Sequence, residues 1–532
     1  MRIDKIKIEP GLKLGDIMSG VEKGKIRIPR FQREFVWERP KVVKLLDSIY
    51  HQFPIGSFFF WEAPRKYNKF FRNIAELGLP EPDEREDITF ILDGQQRITS
   101  LHVTAKGITL DELNYGDICF DLEKQEFVIR KADNKRYIAV CDMLDEKKHL
   151  EIHKNLLKDD NLPSEYPDRF AVCREVFMTY PFSVVIVRDA ELEGVCEIFE
   201  RINQAGKRLS LTDLVVANTW SEDFDLRERI KEFNKTLSSK GFQELDAEAI
   251  TESLSLSIKG GCTRSFQLQI KTDDIKNVWG KTIESINLAI DFLRGNLGAK
   301  RYGFLPYRGI IPVLAYYFYK SNNKAINPSH KEIIEKWFWR VSFSERYGSA
   351  APTHMGEDRK LFDQVIDNEQ VSLDYSANVE IGNIKSIQMK TTSAVKNAVI
   401  CLLSIKNPRH FRNNTFIPLD DSYFSDFNSP EKHHIFPASV LEKQGIKEFS
   451  LANFCFIPAE LNKYILGRKP SQYFKEFKEE NPEFEKTMGS HLIPISEDSG
   501  IWTDDYNKFI QQRAELIKKE IELVRIKVTN SR

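Results

Sequence analysis

Cysteine is scarce and unpatterned in this chain: seven among 532 residues, at positions 119, 141, 173, 196, 262, 401 and 455, never spaced as CxxC. That distribution argues against a zinc ribbon or a disulfide framework and fits reduced thiols in the cytosol. Long apolar runs are missing, so no segment is expected to span a bilayer. The opening MRIDKIKIEPGLKLGDIMSG alternates charged and aliphatic residues and lacks the apolar block of a signal peptide. The expectation is a cytoplasmic protein with no membrane partner. An excess of one charge is missing too, since 78 Lys and Arg face 79 Asp and Glu. Nucleic-acid binding is therefore not advertised by net charge. Residues 1–50, however, hold twelve Lys and Arg against seven Asp and Glu. A local cationic surface is enough to grip phosphate, because the field decays within a Debye length.

No internal repeat and no low-complexity tract is present, and 532 residues are too many for one core. The pattern predicts an α+β chain in three parts. Residues 1–215 read as mixed α/β, 216–405 as mainly helical, and 406–532 as a separate C-terminal domain. In the first part, RPKVVKLLDSIYHQ (39–52) has an amphipathic helical stripe, while FFFWE (58–62) and ITFILD (88–93) read as strands. QQRITSLHVTAKG (95–107) reads as a helix stopped by Gly107, and PFSVVIVRD (181–189) as a strand before a helix over 194–203. Ser210 and Asp213 form a capping-box signature for the next helix. Further helices are predicted over 309–320, 331–343, 386–404 and 504–528. The last reads as a packing surface, with a homo-oligomer contact as its other use. The Asn-, Asp-, Ser- and Pro-rich stretch 406–432 marks the boundary before it.

The C-terminal part carries the sharpest chemical pattern: His433-His434-Ile435-Phe436-Pro437, then Asn453, Asn462 and Gly467-Arg-Lys-Pro470. Adjacent histidines diverge at a strand end, so one can bind a metal while the other acts separately. Phosphodiester hydrolysis needs a base to activate water and a cation to stabilise the phosphorane and the leaving oxygen. The 19 and 28 residues from His434 to the two asparagines leave room for a loop, a second strand (FCFIP, 454–458) and a helix from Ala459. Lys463, Arg468 and Lys469 read either as phosphate contacts or as a solvated helix end. This pattern resembles the HNH, or ββα-metal, nuclease motif. The resemblance makes His434 the general base, His433 and Asn462 the metal ligands, and Asn453 the asparagine that stabilises the motif. A divalent ion, Mg²⁺ or Mn²⁺, is implied. Two departures stand out: many such motifs carry Asp where His433 stands, and the paired CxxC knuckles are absent.

In the N-terminal part, Asp93-Gly94-Gln95-Gln96-Arg97 sits where an apolar strand turns into a helix. Backbone amides and the helix dipole favour an anion there, Gly94 permits close approach, and Arg97 offers a planar fork for phosphate. Asp93 adds a metal ligand or a water-orienting group, although Arg97 paired with Asp93 fits the same spacing. Three segments together, IPRFQR (28–33) with FVW (35–37), ILDGQQRITSL (91–101) and FERINQAGKRLSLTDL (199–214), are similar to the GmrSD N-terminal family. That family is related to the ParB-like fold, its DGQQR segment is tied to nucleoside triphosphate binding and hydrolysis, and many members are fused to a C-terminal HNH domain, SspE-like proteins among them. The resemblance makes Gln32, Arg33, Asp93, Gly94, Gln95, Gln96 and Arg97 the nucleotide-site candidates. Asn203 and Lys207 are possible additions, Asn203 reading first as a helix C-terminal residue. Phe31, Phe35, Trp37 and the run 58–61 read as core rather than as base-stacking platforms. The whole implies a GmrSD-like type IV restriction enzyme: a nucleotide-dependent, metal-dependent DNA endonuclease and triphosphatase of antiviral defence, acting on modified or foreign DNA. A non-cleaving ParB-like nucleotide switch on DNA is the alternative, and a small-molecule nucleotide hydrolase a third.

Overall fold

Apolar runs between Ile6 and Val187 pair into a mixed five-stranded sheet and smaller antiparallel ones. The strands are β1 (Ile6–Leu12), β2 (Ile26–Arg27), β3 (Phe58–Ala63), β4 (Ile88–Asp93), β5 (Thr109–Leu110), β6 (Leu113–Asn114), β7 (Ile118–Asp121), β8 (Glu126–Ile129), β9 (Tyr137–Ala139) and β10 (Phe182–Val187). The main sheet runs β1-β10-β3-β4-β2, and β8-β7-β9 forms a smaller antiparallel one. β10 lies parallel to β3, with Val184 opposite Phe58, and β3 antiparallel to β4, with Phe60 opposite Ile91. The computed structural model describes residues 6–526 apart from 30–34, 36, 66, 68–86, 111, 131–133, 189, 191–193, 196–197, 199–209, 222, 374, 376, 390, 421–422, 425–433 and 447–449. Two compact units result, Met1–Ala217 and Asn218–Arg532. The class is α+β, with the mixed sheet in the first unit and helices through the remainder.

The first unit's core is built from the aromatic and aliphatic faces of these elements. Phe58, Phe60 and Trp61 of β3 and Phe90, Ile91 and Leu92 of β4 are all buried, so the FFFW run is core. Trp61 packs on Phe90 with ring centroids 5.6 Å apart. Helix Arg39–Tyr50 carries Pro40 in its first turn, where a missing N–H costs nothing, and buries Val42, Leu45, Leu46 and Ile49 along one stripe. Emptying one such site, as in Leu46→Ala, costs about 2–5 kcal/mol. Helix Gln95–Lys106 starts directly after β4 and stops at Gly107, which takes the left-handed conformation that ends a helix. Ser210 and Asp213 cap helix Leu211–Asn218 reciprocally: Asp213 N donates to Ser210 Oγ and Ser210 N to Asp213 Oδ2, each at 3.1 Å.

The second unit is helical around Ile310–Lys320, whose residues from Ile310 to Phe318 are all buried. A helix apolar on every side belongs in an interior, and Ala247–Lys259, Thr272–Asn296 and Ala351–Ile366 surround it. Two sequence expectations are corrected here. The helix predicted over 386–404 starts only at Ala394 and runs to Ile405, because Ser393 caps it there by accepting from Lys396 N, and Ser386 instead ends the separate helix Ile381–Ser386. The strand predicted at 454–458 is only a bridge between His434 and Phe454. Two of its carbonyls are taken and one donor is missing: Phe454 O accepts from Arg513, Ile457 O accepts from the Tyr423 hydroxyl, and Pro458 has no N–H. Among the described residues, no helix is long and apolar enough to cross a membrane.

Candidate functional site

The DGQQR segment is placed by β4 and the helix that follows it. Gly94 sits between them at φ 92°, and a Cβ there would fall 2.2 Å from the Phe58 ring, so the close approach it permits is to that ring. Gln95 and Gln96 are buried. Arg97 is largely buried as well. Its Nη1 donates to Ile55 O at 2.5 Å, and its Nη2 donates to Ser57 O at 2.9 Å and to Asp93 Oδ2 at 3.1 Å. The guanidinium also lies 4.8 Å over the Phe58 ring. Burial lowers the Arg97 pKa while the Asp93 charge raises it. The fork expected to meet a phosphate therefore ties the loop 55–57 to the strand–helix turn. Gln32, Arg33, Phe31, Asn203 and Lys207 lie outside the described residues.

In the second unit the histidine motif is organised by Asn453. This residue is fully buried at the end of the short 3₁₀ turn Leu451–Asn453. Its Oδ1 accepts from Phe436 N at 2.8 Å and its Nδ2 donates to Phe436 O at 2.9 Å. Its own carbonyl accepts from Ile435 N at 2.8 Å. The Tyr473 hydroxyl donates to Ile435 O. Ile435 and Phe436, the two residues after His434, are thus held at their backbone, and the paired bonds to Phe436 need a side chain that both donates and accepts, as the Asn453 amide does. His434 itself is half-buried, and burial pushes its pKa down to about 4, so the ring is neutral at physiological pH. A neutral imidazole is the form that accepts a proton.

Helix Ala459–Ile465 follows the motif and carries Asn462, which is half-buried. His433 lies outside the described residues. Among the described residues no three His, Cys, Asp or Glu side chains converge as a metal site. The expected metal donors are His433 and an amide, so such a cluster is not what the motif calls for. Lys463 is exposed. Arg468 pairs with Glu476 and stacks 4.6 Å over Tyr464, and Lys469 lies 3.8 Å from Asp504. Two of the three candidate phosphate contacts therefore already have acidic neighbours.

Sequence reasoning missed Arg513 and His491. Arg513 is fully buried on helix Tyr506–Ile526, where Phe509, Ile510, Ala514 and Ile517 form the apolar stripe around it. A cation in register with such a stripe was the available signal. His491 is buried against Phe411, ring centroids 4.9 Å apart, and its Nε2 lies 3.2 Å from Arg409 N and 2.7 Å from Arg409 O.

The chain is 26% identical to an uncharacterized protein of Methanocaldococcus jannaschii, over 91% of this chain and 88% of that protein. Residues 14–220, which include the main sheet apart from β1, the DGQQR turn and the capped helix Leu211–Asn218, match the family described as GmrSD restriction endonuclease, N-terminal domain.

Proposed function

We propose that the chain is a nucleotide-dependent DNA endonuclease of a restriction or anti-phage system, acting on modified or foreign DNA through a one-metal HNH centre in the second unit. The observation that carries the reading is the Asn453 clamp on Ile435 and Phe436, directly after His434, followed by the helix from Ala459 that carries Asn462. The match of residues 14–220 to a restriction endonuclease N-terminal domain supports DNA as the substrate. The neutral His434 ring would take the proton of the attacking water in line with the scissile phosphate. His433 and Asn462 would hold a divalent ion, Mg²⁺ or Mn²⁺, and that ion supplies positive charge for the phosphorane and the leaving 3′ oxygen. The amide oxygen suits such an ion, while the imidazole nitrogen tilts the site toward the later transition metals. Asn453 keeps the histidine backbone fixed. In the first unit, Asp93, Gly94, Gln95, Gln96 and Arg97, with Gln32 and Arg33, would bind the triphosphate. Arg97 acts there mainly by holding the turn and the 55–57 loop.

The test is cleavage of supercoiled plasmids carrying a panel of base and backbone modifications, with each triphosphate and divalent metal added or withheld. Nicking that needs a metal and responds to a triphosphate is the expected result. Triphosphate turnover with no cleavage of any DNA would instead favour the non-cleaving switch.

A further inference from the structure

Arg513 is a buried cation whose hydrogen bonds all end on main-chain carbonyls. Its Nε donates to Leu492 O at 3.2 Å, its Nη2 to His491 O at 2.9 Å, and its Nη1 to both Ala452 O at 2.7 Å and Phe454 O at 2.6 Å. The side chain is 0% exposed, and among the described residues no carboxylate pairs with it. Burial lowers its pKa to about 10, so it keeps its charge at neutral pH. Taking an arginine out of water costs several kcal/mol, and a leucine or methionine on the same stripe would avoid that cost. Its planar fork does what neither could: one nitrogen spans the carbonyls on either side of Asn453.

Asn453 is the residue that holds Ile435 and Phe436. We propose that Arg513 is a positioning residue for the His434 centre, fixing residues 452–454 so that the Asn453 clamp sets the backbone from which His434 projects. The inference rests on the nuclease reading of His434 and extends it to the C-terminal helix. That helix is then part of the centre's support as well as a packing surface. Outer-shell partners of a site's ligands typically change activity by ~10–100-fold when replaced, and Arg513 reaches His434 through Asn453 and Phe436. Lysine keeps the charge but has one ammonium in place of the fork.

The experiment uses the full chain with Arg513→Lys and Arg513→Met. Plasmid cleavage is measured as kcat and KM, and amide hydrogen exchange is followed at Ile435 and Phe436. The expected result for Arg513→Lys is kcat down roughly 10–100-fold with KM nearly unchanged, and faster exchange at both amides. Parent-like kcat and exchange in a folded variant overturn the proposal while leaving the nuclease reading intact. Cleavage that survives His434→Ala defeats the nuclease reading instead, and the exchange data still decide whether Arg513 holds the clamp. Should neither variant fold, exchange in the unaltered chain decides. The Ile435 and Phe436 amides must then open in one step with the segment 452–454 and the helix around Arg513, and independent opening overturns the proposal.

Discussion

Arg97 Nη2 lies 3.1 Å from Oδ2 of Asp93, the last residue of β4, while the same guanidinium donates to the carbonyls of Ile55 and Ser57. The pair locks the DGQQR turn to the loop before β3. Its geometry explains the glycine between the two. At φ 92° and with the Phe58 ring 2.2 Å from an added Cβ, position 94 admits no side chain without a shift of the ring. Gly94→Ala should therefore destabilise the first unit by about 2–3 kcal/mol, combining left-handed strain with overpacking. Denaturant titration with a probe in this unit measures the change. A variant as stable as the parent would mean that Phe58 moves freely, and the packing role of Gly94 would be lost.

His434→Ala should abolish DNA cleavage while leaving triphosphate hydrolysis near the parent rate. The ring is half-buried and neutral, and the Asn453 bonds that shape its segment go to the backbone of Ile435 and Phe436, which the substitution keeps. Loss of cutting with a retained fold is thus the expected pattern. Cleavage at the parent rate in a folded variant would remove His434 from the mechanism.

His491 makes the second unit acid-sensitive. Burial, the largest cause, and the nearby Arg513 charge hold its pKa at about 3, against the opposing hydrogen bond to Arg409. The ordinary value is near 6.5, so below it the unfolded chain takes up a proton that the folded chain refuses. Stability therefore falls as pH drops from about 6.5 toward 3, by about 1.4 kcal/mol per pH unit from this group. His491→Gln should make that part of the profile shallower by this amount, leaving the smaller contribution of His434, whose pKa burial also lowers. Denaturation midpoints at pH 6.5, 5.5 and 4.5 for both proteins check it, and parallel profiles would exclude His491 as the source.

Much of this was legible in the sequence where a short pattern fixes local geometry. The stripe of Val42, Leu45, Leu46 and Ile49, the apolar strands 58–63 and 88–93, and the Ser210–Asp213 cap were legible because each leaves a short local pattern of residue types, although the strands take their backbone partners from distant segments. What could not be read depends on partners distant in sequence. FCFIP has strand composition, yet Arg513 and Tyr423 take its carbonyls, 59 and 34 positions away. Arg97 has the look of a phosphate fork, yet carbonyls 42 and 40 residues earlier occupy it. The long C-terminal helix was visible as an amphipathic stripe, while the target of its buried arginine was not.

On the proposed function, DNA cleavage should be supported by Mn²⁺, Co²⁺ or Ni²⁺ at least as well as by Mg²⁺. The reason is His433, which stands where many HNH motifs have Asp. An imidazole with the Asn462 amide oxygen makes a neutral, partly nitrogenous donor set, and nitrogen donors favour the later transition metals over magnesium. His433→Asp restores a hard anionic oxygen at that position and should move the preference back toward Mg²⁺. Initial cleavage rates at saturating concentrations of each metal, for parent and variant, give the ranking. A shift of the ranking with the substitution assigns His433 to the metal. A parent that uses Mg²⁺ alone, with a variant whose ranking is unchanged, takes His433 out of the ligand set. Asn462 and water would then need another protein donor, and the search would move to the acidic and histidine side chains around the 459–465 helix, where His410 lies 3.6 Å from Glu460.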